Sequence, residues 1–215
     1  DFTAWRDELR AIEVKIEAGF QKELSSDEVP IDPLRMCREI RDFIDEDTIL
    51  IGDGGDIVAQ AAKVVPVMKE NCWMDPGPLG TLGVGMPFAL AAQVSFPDKK
   101  VLIIYGDGSF GLNGFEYDTA VRFGLPIIGV MGNDAAWGQM MRPQGAIYGW
   151  DRLEAVLLNR TRYDKVVEAL AKISPGQPRF VLNTHWHGDH TGGNENLAAK
   201  GSVIVAHDRV RERMS

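Results

Sequence analysis

Cysteine and positive charge are both scarce in this sequence. Two of the 215 residues are cysteine, Cys37 and Cys72, and they form no CxxC pair, so we interpret them as reduced, buried thiols of a cytosolic protein. Lysine and arginine together number 23 against 31 aspartates and glutamates, which gives a formal net charge of -8. A nucleic-acid partner held through phosphate contacts is therefore not expected.

Long apolar runs and targeting signals are also lacking. No stretch approaches the ~18 consecutive apolar residues of a membrane span, so a membrane partner is not expected. The chain starts at Asp1 without an initiator methionine, a basic region or an apolar signal, and we expect a cytoplasmic piece of a longer protein. What is present is a globular composition, 45% hydrophobic and 25% charged, which suits a large domain with a buried core.

Apolar runs, glycine turns and helical patterns alternate along the chain. Strands are predicted over residues 48–51, 101–105, 126–131 and 179–183. Helices are predicted over residues 3–24, 34–43, 56–65, 86–94, 113–123 and 150–170. This order predicts an α/β fold, a parallel sheet flanked by helices, with ligands at the carboxyl ends of its strands.

Two polar clusters follow consecutive predicted strands. Residues 106–109 have the sequence Gly-Asp-Gly-Ser, and Asn133 and Asp134 end the next strand. Glycines let a backbone approach a phosphate, Ser109 can donate to its oxygens, and the carboxylate of Asp107 is a hard ligand for Mg²⁺. Since neighbouring strand ends meet at one edge, Asp107 and Asp134 can reach the same cation. A tight turn and a helix cap are the alternative explanation for such clusters.

The two clusters resemble the signature of the thiamine-diphosphate-dependent enzymes, in which Gly-Asp-Gly is followed by a distant Asn-Asn pair. Residues 80–86, Gly-Thr-Leu-Gly-Val-Gly-Met, resemble the loop before the cofactor-binding motif in those enzymes. Residues 106–138 are most similar to acetolactate synthase-like and oxalyl-CoA decarboxylase-like proteins. The resemblance extends from residue 1 to about residue 170.

The resemblance implies a magnesium ion and a thiamine diphosphate. Asp107 would be the first metal ligand, Asn133 or Asp134 the second, and the backbone carbonyl of Ala136 the third. Asp134 stands where the family usually has an asparagine. The implied cofactor contacts are Gly54, Gly55, Thr81, Leu82, Gly83, Gly108, Ser109, Ala136 and Trp137. Leu82 would support the bent cofactor, whereas Gly54 and Gly55 are equally well explained as a structural turn.

The implied activity is that of a decarboxylase or a carbon–carbon lyase or synthase. Its substrates would be 2-oxo acids or 2-hydroxyacyl or oxalyl thioesters. In the family a glutamate from a separate pyrimidine-binding domain activates the cofactor, so a homo-oligomer or a pyrimidine-domain partner is expected. Glu116 has the wrong context for that role, and no catalytic residue is assigned. The chain alone is expected to bind the cofactor with little or no turnover.

A histidine cluster near the end of the chain carries a different pattern, HxHxDH. The spacing suits zinc, and it resembles the metallo-β-lactamase superfamily from about residue 174 onward. By that resemblance His185 and His187 would hold one zinc ion, and Asp189 and His190 a second. That family needs further ligands, and His207 is interpreted as structural or superficial. At most a partial, low-affinity zinc site is expected.

The two patterns predict two segments: a thiamine-diphosphate and magnesium domain over residues 1–170, and a metallo-β-lactamase-like fragment over residues 171–215. A truncated fusion and a natural bifunctional protein both remain open. A zinc-dependent hydrolase and a non-catalytic diphosphate-binding module are the alternative functions.

Overall fold

The computed structural model describes residues 1–163, 165, 166 and 169, together with the backbone of two later strands. Its centre is a four-stranded parallel sheet with the strand order β2-β1-β3-β4. The strands are β1 (Ile49–Asp53), β2 (Trp73–Met74), β3 (Val101–Gly106) and β4 (Ile127–Gly132). The predicted α/β fold is confirmed, while the edge strand β2 has no counterpart among the predicted elements.

Helices cover both faces of this sheet. The first helices precede it, and the others follow successive strands. They are α1 (Thr3–Gly19), α2 (Gln21–Leu24), α3 (Pro33–Phe43), α4 (Asp56–Val64), α5 (Gly85–Ser95), α6 (Asp107–Asn113), α7 (Tyr117–Arg122) and α8 (Gly138–Tyr148). Helix α3 begins as its sequence suggests: Pro33 is the first helical residue, and the Asp32 carboxylate accepts from Leu34 N–H at 2.7 Å.

The central strands are buried on both sides because successive side chains alternate between two helical layers. Leu50 packs with Cys37 of α3 and Ala61 of α4. Its neighbour Ile51 packs on the other face with Met86 of α5. This explains why the strands appear in the sequence as continuous apolar runs rather than as alternating ones.

Two predicted helices are divided in the structure. The helix predicted over residues 3–24 is interrupted at Phe20, which leaves helical geometry (φ -100°, ψ 6°) directly after the weak helix former Gly19. The helix predicted over residues 113–123 begins earlier, because Asp107 already opens α6. A 3₁₀ turn, Gly114–Glu116, then separates α6 from α7.

The helix predicted over residues 150–170 is wrong for its first part. Residues 150–162 are irregular, although Tyr163, Lys165, Val166 and Ala169 are helical. The irregular stretch pairs with the chain after β4 instead: Trp137 N–H donates to Val156 O at 2.8 Å, and Leu158 N–H to Ala135 O at 2.7 Å. These long-range hydrogen bonds outweigh the local helical pattern.

The two later strands, β5 (Phe180–Asn183) and β6 (Val203–Ala206), pair in parallel as a separate two-stranded sheet. The strand predicted over residues 179–183 is therefore present. Over the described residues, no helix combines the length and the hydropathy that crossing a bilayer requires.

Candidate functional site

The register of the sheet brings the two polar clusters to one edge. β3 and β4 pair along their whole length, and Gly106 stands opposite Gly132 at their carboxyl ends. Asp107 and Asn133 are the next residues on each strand, so their backbones start about 5 Å apart. This is the adjacency that a shared cation requires.

The Asp107 side chain lies at the carboxyl ends of the strands, and one of its oxygens has no hydrogen-bond partner among the residues that the structure describes. The residue is only 2% exposed. Its Oδ1 atom accepts from Gly108 N–H at 2.9 Å, whereas Oδ2 is buried without a hydrogen-bond partner in the described chain. Burial, reinforced by the nearby Asp134 carboxylate, raises the pKa of Asp107 to about 6. A buried carboxylate oxygen without a donor is a suitable ligand for a cation.

The Asn133 amide repeats this feature on the neighbouring strand end. Its Oδ1 atom is buried and finds no partner among the described residues. Its Nδ2 group points to Thr161 O at 3.5 Å, which is the outer limit of a hydrogen bond. The amide oxygen of Asn133 and Oδ2 of Asp107 are therefore two hard, unsatisfied oxygens at adjacent strand ends, as Mg²⁺ prefers.

Asp134 is turned partly toward solvent and is held by its own loop. Its Oδ1 atom accepts from Ala136 N–H at 3.2 Å. Burial of the carboxylate and repulsion from Asp56 raise the pKa of Asp134, while Arg142 opposes that shift. Arg142 also forms an ion pair with Asp56 at 2.6 Å. It thereby compensates part of the negative charge beside the candidate metal ligands.

The loop that carries Ala136 and Trp137 is fixed by backbone contacts. Ala135 has a positive φ of 56°, which turns the chain sharply after Asp134. Ala136 is buried and forms a bridge with Leu157. The sharp turn and the pairing with the irregular stretch give this loop a defined shape on both sides.

Three of the predicted glycines lie where a side chain would collide. A Cβ on Gly108 would lie 2.5 Å from the Trp137 ring, and one on Gly54 would lie 2.7 Å from Gly106 N. A Cβ on Gly55 would overlap the side chain of Gln139. Close packing alone explains the glycine at these positions, which agrees with the structural-turn alternative for Gly54 and Gly55.

The loop containing Thr81, Leu82 and Gly83 is anchored to the same edge by two side chains. Asp53, fully buried at the end of β1, accepts from Gly83 N–H at 2.9 Å and from Gly85 N–H at 2.7 Å. From the other side, Asn113 Nδ2 donates to Gly83 O at 2.5 Å. Because Asn113 ends α6 and Asp107 begins it, the loop is tied to the helix that carries the candidate metal ligand Asp107.

Four residues of this edge were not predicted: Asp53, Asn113, Asp56 and Arg142. The signal for Asp53 is present in the sequence, since an aspartate among glycines at a strand end follows the same pattern as Asp107. The other three act through contacts between distant segments, which no local spacing reveals. Ser109, by contrast, is a predicted residue and lies buried in α6 beside the edge.

The residues at the edge fit a magnesium ion that is also held by a phosphate. Within the ranges that the structure describes, no group of three or more histidine, cysteine, aspartate or glutamate side chains could hold a metal ion. Two protein oxygens are nevertheless sufficient where phosphate oxygens and water complete the octahedron. The zinc candidates His185, His187, Asp189 and His190 lie outside the described residues.

Comparison with known proteins identifies the family of this chain. Residues 53–178 match the family described as "Thiamine pyrophosphate enzyme, C-terminal TPP binding domain". The chain belongs to this family. Residues 146–215 also match the metallo-beta-lactamase superfamily, and the two matches overlap over residues 146–178.

Individual relatives are longer than this chain. It is 36% identical over 170 residues to "Probable acetolactate synthase" of Mycobacterium bovis, covering 79% of this chain and 31% of that protein. To "2-hydroxyacyl-CoA lyase 2" of Caenorhabditis elegans it is 41% identical over 170 residues, which cover 78% of this chain and 26% of that protein. To the human protein of the same name it is 38% identical over 141 residues, 65% and 22% of the two chains. The chain therefore spans about a third or less of these relatives.

Proposed function

We propose that this chain holds thiamine diphosphate and Mg²⁺ at the carboxyl edge of its sheet, as the cofactor-binding part of a thiamine-diphosphate-dependent lyase or transferase. One observation carries the proposal: Asp107 Oδ2 and Asn133 Oδ1 are both buried acceptors without a partner, on adjacent strand ends. Leaving two such oxygens unsatisfied costs stability, which a bound cation would restore.

The proposed ligands divide between the two strand ends. Asp107 and Asn133 would hold the cation directly, and the Ala136 carbonyl would complete the protein ligands. Asp134 accepts from Ala136 N–H, so we assign it to shaping the loop and to adding negative charge near the cation. The match of residues 53–178 with the family supports the cofactor, whose ring supplies a nucleophilic carbon and stores electrons.

The remaining contacts would orient the cofactor. Gly108 and Ser109 border the diphosphate position, and Trp137 closes over Gly108. Leu82, carried on the loop that Asp53 and Asn113 anchor, would support the bent cofactor. The sequence resemblance that assigns these roles is supported by the way α6 joins the loop to Asp107.

The substrate class follows from the relatives and is likewise a proposal. Relatives named acetolactate synthase and 2-hydroxyacyl-CoA lyase support 2-oxo acids or 2-hydroxyacyl thioesters as substrates of the whole protein. A glutamate from a pyrimidine-binding domain, on a partner or a second subunit, would be needed for turnover. We therefore expect this chain to bind cofactor but to show little or no activity by itself.

Titration calorimetry with thiamine diphosphate in the presence and absence of Mg²⁺ tests the proposal. We expect metal-dependent binding to the unsubstituted chain and at least about tenfold weaker binding by Asp107→Ala and Asn133→Ala, because each removes one inner oxygen. Asp98→Asn, an exposed aspartate before β3 at the opposite edge, is the matched control and should bind normally. Binding without magnesium, or unchanged binding by both alanine variants, would contradict the assignment.

Metal binding by the C-terminal segment is a second candidate function. The match of residues 146–215 with the metallo-beta-lactamase superfamily favours it, and the HxHxDH pattern lies within this match. Metal analysis of the purified chain should then find zinc, which His185→Ala with His187→Ala should remove. Zinc below a tenth of stoichiometry, or zinc retained by the double variant, would exclude this candidate.

A further inference from the structure

Helix α1 presents an apolar stripe to solvent. Phe2, Trp5, Leu9, Ile12 and Ile16 follow one another at alternating intervals of three and four residues. That interval keeps them on one face of a helix, as in the a and d positions of a coiled coil. Over Trp5 to Ile16 these four side chains are between 41% and 61% exposed.

The rest of the described chain leaves this stripe uncovered. Every residue from 1 to 19 is exposed. The helix is joined to the domain near its C-terminal end, where Glu17 forms an ion pair with Arg41 at 2.8 Å and the Phe20 ring lies under Lys63. A helix of 17 residues, about 26 Å long, therefore carries an apolar face that association would bury.

The charged residues beside the stripe indicate which partner it fits and in which orientation. With Leu9 at position a and Ile12 at position d, Arg6 and Glu13 are at e positions, and Glu8 and Lys15 are at g positions. In an antiparallel pair of helices, e faces e and g faces g. Arg6 would then meet Glu13 of the other helix, and Glu8 would meet Lys15, each contact occurring twice by symmetry.

A parallel pair does not share this complementarity. In that arrangement position g faces position e of the next heptad, so Glu8 would face Glu13 of the other helix twice. The antiparallel arrangement also places Leu9 beside Ile12 and Trp5 beside Ile16, which matches large apolar groups in successive layers. We infer that α1 is a self-association surface, on which a second copy of this chain docks through its own α1 in antiparallel orientation.

Sedimentation equilibrium of the full chain tests the inference with two matched substitutions. The unsubstituted chain should shift with concentration from 23.7 kDa toward twice that mass. Ile12→Glu places a charge within the stripe and should leave a monomer. Val14→Glu makes the corresponding change on the opposite, more exposed face and should associate normally. Circular dichroism checks that both variants keep their helices.

Charge exchange then tests the orientation. Arg6→Glu and Glu13→Arg should each raise the dimer dissociation constant by about tenfold, because each replaces two attractions with two repulsions. The double variant Arg6→Glu/Glu13→Arg restores the attractions and should return to within about threefold of the original value. A monomer at every concentration would overturn the inference, as would association that survives Ile12→Glu. Stronger association of Glu13→Arg would overturn it too, since only the parallel pairing predicts that result.

Discussion

Replacing Asp107 by asparagine should stabilise the metal-free protein and at the same time weaken its binding of magnesium. The Asp107 carboxylate is buried at the strand edge, with Oδ2 unpartnered and the Asp134 carboxylate nearby. Without a cation, its negative charge lowers the stability of the folded state. The asparagine side chain has nearly the same shape, carries no charge and can donate a hydrogen bond toward Asp134.

The size of this effect follows from the pKa. Burial raises the pKa of Asp107 from 3.8 to about 6, so ionisation costs the folded chain about 3 kcal/mol more than the unfolded one. Because the folded pKa is the higher one, the penalty is complete above about pH 6, shrinks as the pH falls and vanishes below 3.8. Allowing for imperfect pairing of the new amide, we expect Asp107→Asn to gain about 2 kcal/mol near pH 7.5.

Urea denaturation with a chelator, near pH 7.5 and near pH 4.5, measures this gain. The advantage of Asp107→Asn over the unsubstituted chain should be largest at the higher pH and should fall by more than half at the lower one. Adding magnesium with thiamine diphosphate should reverse the order, since the unsubstituted chain binds them more tightly and is then stabilised more by binding. Asp98→Asn should follow the unsubstituted chain throughout. If Asp107→Asn is the less stable protein in chelator at the higher pH, the assigned charge penalty is wrong.

Three further outcomes follow from the packing of the site. Gly108→Ala should lose about 2 kcal/mol of unfolding free energy, because its Cβ would overlap the Trp137 ring. Gly111→Ala, which has open space around it, should lose none. Urea denaturation compares the two variants, and equal stabilities would refute the close packing. Asp53→Ala should lower the free energy of unfolding by about 3 kcal/mol and Asp53→Asn by less, because alanine leaves two buried loop amides without an acceptor. Equal losses in the two variants would contradict these hydrogen bonds. Burial raises the pKa of Cys37 to about 12, so the folded chain should resist thiol reagents near pH 8 until denaturant is added, and rapid labelling of Cys37 in the folded chain would argue against its burial.

The sheet and its order of elements could be predicted because they depend on local pattern. Continuous apolar runs such as residues 101–105 suit strands buried on both faces, and a glycine turn after each run marks its end. The adjacency of Asp107 and Asn133 then follows from pairing between consecutive strands. Each predicted boundary of these strands lies within two residues of the observed one.

The predictions that were wrong, and the features that were not predicted, depend on contacts between distant segments. The charged stretch after Trp150 has helical periodicity, yet Val156 and Leu158 hydrogen bond with the loop after β4. The anchoring of Gly83 by Asp53 spans 30 residues of sequence. Helix α8 contains Pro143, a residue that ordinarily ends helices, so its pattern gave no helical signal.

The bridge between Ala136 and Leu157 restricts where the two predicted segments of this chain can meet. The metallo-beta-lactamase match begins at residue 146, but residues 156–158 pair with the loop that follows β4 and give it its shape. Tyr163 belongs to the same assembly, since its hydroxyl donates to the Asp107 carbonyl at 3.2 Å and its ring packs against Phe110. A boundary ahead of residue 156 would separate this loop from the irregular stretch that pairs with it. A boundary between residues 158 and 163 would separate Tyr163 from Asp107, so we expect the boundary between the two predicted segments beyond Tyr163.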